Sequence, residues 1–316
     1  MHNASLCEVV ESVSSHMMDN PQPTQLCIIG DIAMDVHVGI PGVFPSDVNV
    51  NGNTLGVVEL IPGGAAANTA LWAHTSGISA RLIAAIGEDL LGRALSDHLQ
   101  IFGVHGSLEL VSGVPSGSVV VITDSSGART MFPSAGSNAF LSSSWASAAL
   151  YGHHLHVNGY GLARSSTSQT YLDVIREARR RGMSVSYDVA SFEIVRDHWA
   201  TVETAARLSD VMFLNDDEWQ ASPPAALEEL IRGRLVVHMM GELGCEARQG
   251  AERWRVGASQ VEVMDTVGAG DAFTGGFLAA FLLRGDVAEA LEQASLTAGV
   301  CVGRVGACPP LPTLEG

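Results

Sequence analysis

The segment Asp265-Thr266-Val267-Gly268-Ala269-Gly270-Asp271-Ala272-Phe273-Thr274-Gly275-Gly276-Phe277 places small residues, then a carboxylate, at the head of an apolar run. Gly268, Ala269 and Gly270 let the backbone approach a ligand closely, and the apolar run predicts a buried helix that starts at this point. A helix start offers free N–H groups and the positive end of the helix dipole, so these three residues read as an anion hole. Asp271 falls in the first turn, beside whatever anion the amides hold. A carboxylate there repels a phosphate, unless it accepts the proton of an attacking hydroxyl while the amides absorb charge on a phosphoryl group in transfer. Two readings of Asp271 therefore stand: a helix cap, or the base of a phosphoryl transfer.

A second constellation lies upstream in Gly63-Gly64-Ala65-Ala66-Ala67-Asn68-Thr69-Ala70. Gly63 and Gly64 open a helix whose free N–H groups can meet the oxygens of a substrate. Asn68, one turn on, adds a side-chain donor and acceptor.

Composition narrows what these sites can bind. The 316-residue chain carries a formal charge of −17, which repels nucleic acid and anionic lipid and points to a small-molecule partner. All 17 basic residues are arginine. Without lysine there is no Schiff-base chemistry and no lysine-dependent phosphate loop, which leaves backbone N–H groups, arginine or a metal to hold phosphate. Five cysteines, Cys7, Cys27, Cys245, Cys301 and Cys308, form neither an even disulfide framework nor a C-x-x-C pair. The longest apolar run, Ala272 to Leu283, is too short to span a membrane. The first basic residue is Arg81, so the start of the chain lacks the charge pattern of a leader, and a cytoplasmic location is expected.

The elements that position the two constellations alternate. Strands are expected at Leu26–Gly30, Leu82–Ile86, Leu155–Val157, Ser184–Tyr187, Val211–Leu214 and Leu235–Met239. Helices are expected at Gly64–Thr75, Asp89–Phe102, Thr167–Arg181, Ala269–Leu283 and Val287–Gly303. Such alternation predicts an α/β fold in three layers, with a mainly parallel central sheet. Two stretches break the rhythm, about 36–62 and about 113–133, and read as antiparallel pieces forming a small β lid. Residues 1–24 read as a flexible N-terminal extension, and 25–316 as one domain.

Taken together and in this order, the two signatures resemble the ribokinase-like, phosphofructokinase-B type family of carbohydrate kinases, and the resemblance covers residues 25–312. It implies a ribokinase-like fold and ATP-dependent phosphorylation of a hydroxyl on a small sugar or sugar derivative. Asp271 matches the family's base, and Gly268, Ala269 and Gly270 match its anion hole. Asp35, which ends the stretch Cys27-Ile28-Ile29-Gly30-Asp31-Ile32-Ala33-Met34-Asp35, matches the carboxylate that holds sugar hydroxyls, with Gly63, Gly64 and Asn68. Asp31 reads equally as its support or as a loop cap.

Asn215-Asp216-Asp217-Glu218 is similar to an Asn-x-x-Glu element that positions Mg²⁺ and phosphates, with Asn215 toward the nucleotide and Glu218 acting on the metal through water. Met239-Met240-Gly241-Glu242-Leu243-Gly244 resembles the turn beside the nucleotide, through Gly241 and Gly244. Asp265 and the Gly306-Ala307 turn match the surroundings of a monovalent cation such as K⁺. The resemblance further implies a homodimer formed through the lid.

Departures from the family pattern bear on the substrate. Met239 stands where many relatives carry threonine, Tyr160 where ribokinases proper carry a carboxylate, and Asp188 lacks the Asn and Arg that often follow it. A nucleoside kinase of the same superfamily is the alternative, with Phe44, Phe132 and Tyr160 as candidates to stack on a base; a non-catalytic binding regulator is a further one. His153, His154 and His156 read as strand residues rather than metal ligands. Arg179-Arg180-Arg181 reads as a solvated helix end, and Arg129 as either a lid salt bridge or a substrate contact.

Overall fold

The computed structural model describes residues 25–311; the expected N-terminal extension, residues 1–24, lies outside them. The strands are β1 (Gln25–Ile29), β2 (Ala33–Gly39), β3 (Val57–Gly63), β4 (Ser79–Gly87), β5 (His105–Val111), β6 (Ser118–Thr123), β7 (Arg129–Ser134), β8 (His154–Asn158), β9 (Ser184–Asp188), β10 (Val211–Asn215), β11 (Leu235–Met239), β12 (Cys245–Gln249) and β13 (Glu252–Val256). The helices are α1 (Ala65–Thr75), α2 (Leu90–Ile101), α3 (Ser143–Ala149), α4 (Tyr160–Ala163), α5 (Ser168–Arg180), α6 (Phe192–Leu208), α7 (Asp216–Ala221), α8 (Pro224–Gly233), α9 (Ala269–Arg284) and α10 (Val287–Val302).

Nine strands form the main sheet in the order β13-β12-β11-β10-β9-β8-β1-β4-β5. The strands from β11 through β5 in that order pair in parallel, and only β12 and β13 run antiparallel, at one edge. Alternation along the buried strands divides the core. Leu26, Ile28, Leu82, Ala84 and Phe213 face the layer of α1, α2, α9 and α10, whereas Cys27, Ile29, Ile83, Ala85 and Met212 face the layer of α3, α5, α6 and α8. With both faces covered, the strands must be apolar on both sides, which is why they read as continuous runs. The three-layer expectation holds.

The second sheet has the order β3-β2-β6-β7. Its two hairpin-like pieces are joined by the parallel pairing of β2 with β6, so the two segments that broke the rhythm form one body. The sheet grows directly out of the core: β2 starts four residues after β1 ends, and β3 runs into α1 through Gly63 and Gly64. Several elements escaped the sequence reading: β5, the β12–β13 hairpin, and the helices α3, α4, α6 and α8. The strands lie at or near sheet edges, where exposure dilutes the apolar pattern, and α6 is interrupted by a non-helical His198.

Candidate active site

Glycines set the geometry on the side of the expected acceptor. Gly64 stands at φ +98° before α1, and a Cβ there would lie 2.7 Å from the backbone of Asp31 and Ile32. A Cβ on Gly63 would lie 2.7 Å from an Asp35 carboxylate oxygen, so the missing side chain leaves room for that carboxylate. Asn68, buried on α1, donates through Nδ2 to Asp271 Oδ2 at 3.0 Å, joining residues 203 apart in sequence. The approach is possible because α9 carries no side chain where it crosses α1: a Cβ on Gly275 would lie 2.8 Å from Thr69 O and Ala73 N.

The loop expected to hold an anion is built the same way. Gly268 is the N-cap of α9, at φ 75° in the left-handed region, and a Cβ there would lie 2.4 Å from the Ala307 Cβ. No side chain caps α9, and none caps α1. By contrast, Asp89 caps α2 and Asp286 caps α10, each accepting from a backbone N–H. Asp271 is therefore not the cap of its helix; it sits in the first turn with its carboxylate turned to Asn68.

A cavity of about 730 Å³ opens against this loop. Gly268, Ala269, Gly270, Asp271, Asn215, Glu218, Gly241, Gly244 and Asp188 all line it, so the residues expected on the nucleotide side share one wall system. Met239 lies beneath the loop, its side chain 3.9 Å from where a Gly270 Cβ would stand. Asn215 and Glu218 form a reciprocal capping box on α7: Asn215 Oδ1 accepts from Glu218 N, and Glu218 Oε2 accepts from Asn215 N, both at 2.9 Å. The helix-start reading of this pair is thus correct geometrically, and the same two side chains face the cavity.

Electrostatics mark the carboxylates. Burial pushes Asp271 up to about 8; the Asn68 donor offsets part of this, and the charges of Asp188 and Asp35 add to it. Burial also raises Asp35 to about 6. Asp188 and Glu218 are both raised, by burial first, with Asp188 repelling Glu218. Asp188 is held by Thr274 Oγ1 at 3.1 Å and by Ala190 N at 3.0 Å. The cavity lining holds Asp188, Glu218, Glu242 and Asp271 and no arginine. A polyphosphate enters such a wall only with a divalent cation to neutralise it, and oxygen donors of this kind suit Mg²⁺. Among the described residues no cluster of three or more His, Cys, Asp or Glu is close enough to chelate a metal.

Asp265 is placed differently. Its Oδ1 accepts from Arg129 at 2.8 Å and from Val267 N at 2.9 Å, and its Oδ2 accepts from Gly306 N at 3.0 Å. Arg129 is thus a lid salt bridge. Asp31 pairs with Arg164, a residue the sequence reading passed over. Tyr160 lines the cavity, whereas Phe132 is exposed on β7. His154 and His156 are buried and hydrogen-bonded to Ser184 and Ser186 on the neighbouring strand, and burial depresses both to about 3, which keeps them neutral. Arg179 pairs with Asp210, and Arg180 and Arg181 pair with Glu177, as a solvated helix end would.

An uncapped glycine loop at a helix start, a first-turn carboxylate and a second helix hydrogen-bonded to it, outside the carboxyl ends of a parallel sheet, form the arrangement expected of a phosphotransferase with an alcohol acceptor. Residues 23–314 match the family model described as pfkB family carbohydrate kinase, and the chain belongs to that family. It is 30% identical over 251 residues to the ATP-dependent ribose-1-phosphate kinase of Halopiger xanaduensis, covering 78% of this chain and 81% of that one. It is 29% identical over 277 residues to the fructokinase of Vibrio alginolyticus, covering 80% and 89%. In fold it is similar to a putative ribokinase II from E. coli in complex with ATP and Mg²⁺, with TM-score 0.79 at 19% identity over 90% of this chain and 94% of that one; nucleoside kinases share the fold as well.

Proposed function

We propose that this carbohydrate kinase transfers the γ-phosphoryl group of ATP to a hydroxyl of a small sugar or sugar derivative, with Asp271 as the base. The observation that carries the reading is the Asn68–Asp271 hydrogen bond, which joins the helix on the acceptor side to the helix that begins at the anion loop. Asp35, Gly63, Gly64 and Asn68 bind and orient the acceptor. Asp271 takes the hydroxyl proton, and its raised affinity for protons suits that task. The amides of Gly268, Ala269, Gly270 and Asp271 receive the charge that spreads over the transferred group. Gly241, Gly244 and Asn215 would border the nucleotide, and Glu218 and Asp188 would act on Mg²⁺ through water. When bound, that ion neutralises phosphate charge and polarises the reacting group.

The lid sheet, β2, β3, β6 and β7, excludes water from the acceptor, and residues 25–316 act as one kinase domain. Its apolar Val57, Val58, Leu60, Met131 and Phe132 are exposed, which supports a homodimer formed through the lid. No helix among the described residues is long and apolar enough to cross a membrane, and the four described cysteines are free, which suits the reducing cytoplasm.

The test is an ADP-release screen over pentoses, hexoses, ketodeoxy acids, sugar phosphates and nucleosides. A sugar or sugar derivative is expected to outpace every nucleoside. Adenosine or cytidine turning over about tenfold faster than any sugar would transfer the function to the nucleoside reading.

A further inference from the structure

Asp265 sits where three parts of the chain meet. Val267 N and Gly306 N, which donate to its two oxygens, belong to the anion loop and to the closing turn of the chain, and Arg129 belongs to the lid. The loop and the turn are themselves packed face to face, because Gly268 lies against Ala307. Ala307 O in turn accepts from Trp72 Nε1 of α1 at 2.7 Å. A displacement of Asp265 would therefore be felt at the amides of the anion hole and at the helix that carries Asn68.

Only 4% of the Asp265 side chain is exposed, so its charge needs a partner, and the guanidinium of Arg129 provides it at 2.8 Å. The resemblance to the family led to the expectation of a monovalent cation at this carboxylate. The residues present do not fit one. Both oxygens already accept hydrogen bonds, and a second positive charge would have to displace or share a place with an arginine delivered by the protein itself.

We propose that Arg129 supplies, from the lid, the positive charge that a bound monovalent cation would otherwise supply at Asp265, and so acts as a positioning residue for the anion loop. The proposal rests on the kinase reading. Its consequence is that turnover does not depend on K⁺ and does depend on the seating of the lid strand that begins at Arg129. Arg129 touches no reacting atom; it acts through Asp265.

The experiment compares the full-length protein with Arg129→Ala and Arg129→Lys in potassium and in tetramethylammonium salts of equal ionic strength. Initial rates with Mg-ATP and an accepted sugar are read beside the melting temperature without substrate. Wild-type rate and melting temperature are expected to be the same in both salts. Arg129→Ala is expected to lose about tenfold in kcat in tetramethylammonium, with KM for ATP little changed, and to recover part of the loss in potassium. Its melting temperature should rise on adding K⁺, which now enters the vacated place. Arg129→Lys should retain more activity than Arg129→Ala in tetramethylammonium.

A wild-type enzyme that needs K⁺ for most of its turnover, or whose melting temperature rises with K⁺, overturns the proposal. So does an Arg129→Ala variant that matches wild type in both salts, which would reduce the ion pair to a lid bridge. A wild-type protein that phosphorylates no acceptor in either salt sinks the kinase reading instead, and the melting measurements then decide the cation question independently.

Discussion

Asn68 and Asp271 lie 203 residues apart in sequence and 3.0 Å apart in space, with the amide donating and the carboxylate accepting. This orientation leaves the second carboxylate oxygen of Asp271 available to a hydroxyl, while Asn68 fixes the rotation of the group. While the carboxyl is neutral such a hydrogen bond contributes about 0.5–1.5 kcal/mol, and once it ionises about 1.5–3 kcal/mol.

Asp271→Asn should keep the fold and nucleotide binding while lowering kcat by at least ~10²-fold, the low end for loss of a positioned base. Because Gly268, not Asp271, caps α9, the substitution removes no cap. Turnover within about threefold of wild type, in a variant whose circular dichroism and melting are unchanged, would eliminate Asp271 as the base.

The pH dependence should carry opposite signs in activity and stability. Asp271 has its ordinary value near 3.8 raised to about 8, chiefly by burial. The base works as the carboxylate, so kcat/KM for the free enzyme should climb with pH to a midpoint at about 8 and level roughly one pH unit higher. Stability runs the other way: the folded protein binds this proton more tightly than the unfolded chain, so the contribution is complete below the unfolded value and lost as pH rises through about 8. In Asp271→Asn both slopes should flatten. An unchanged acid limb in that variant assigns the limb to another group.

Asp35→Ala should raise KM for the acceptor and lower kcat, with KM for ATP nearly constant, since Asp35 lies beside Gly63, where the acceptor is proposed to bind, and is not among the residues lining the cavity. Steady-state kinetics with each substrate varied in turn checks this. Unaltered acceptor kinetics would take Asp35 out of the site.

Glu218→Gln separates metal positioning from helix capping. Glutamine can still accept from Asn215 N and its backbone still donates to Asn215 Oδ1, so α7 should persist, although its amide nitrogen cannot accept from Asn215 Nδ2 as the carboxylate does. The Mg²⁺ concentration for half-maximal rate should rise about tenfold. A Mg²⁺ titration identical to wild type would leave Glu218 with the capping box alone.

Much of this arrangement was legible in the sequence because it rests on backbone. Gly63–Gly64 and Gly268–Gly270 announce helix starts that side chains do not cap, and uncapped starts are what an anion needs. The interior strands were readable from β-branched, apolar runs. The partners of long-range pairs were not. Nothing near Arg129 in sequence points to Asp265, nor near Arg164 to Asp31, because such pairs are set by how the lid and α4–α5 segments fold back onto the core. Asp188 was visible as a strand end, but its hold on Thr274 required the crossing of β9 with α9. The Asn215–Glu218 spacing was legible in both of its meanings at once, since a capping box and an oxygen-rich wall use the same residue types.

The bare crossing at Gly275 carries a consequence for how this enzyme can change. Because α1 and α9 touch backbone to backbone there, the helix proposed to grip the alcohol and the helix proposed to receive the phosphoryl group share one rigid seam. New bulk at that seam would shift attacking oxygen and base together out of alignment, so selection for a different acceptor has little freedom in the helices. Variation is channelled instead into the four strands above them and the loops at their ends. Relatives with unlike acceptors should therefore diverge most between positions 36 and 62 and between 113 and 133, while the seam stays small-sided.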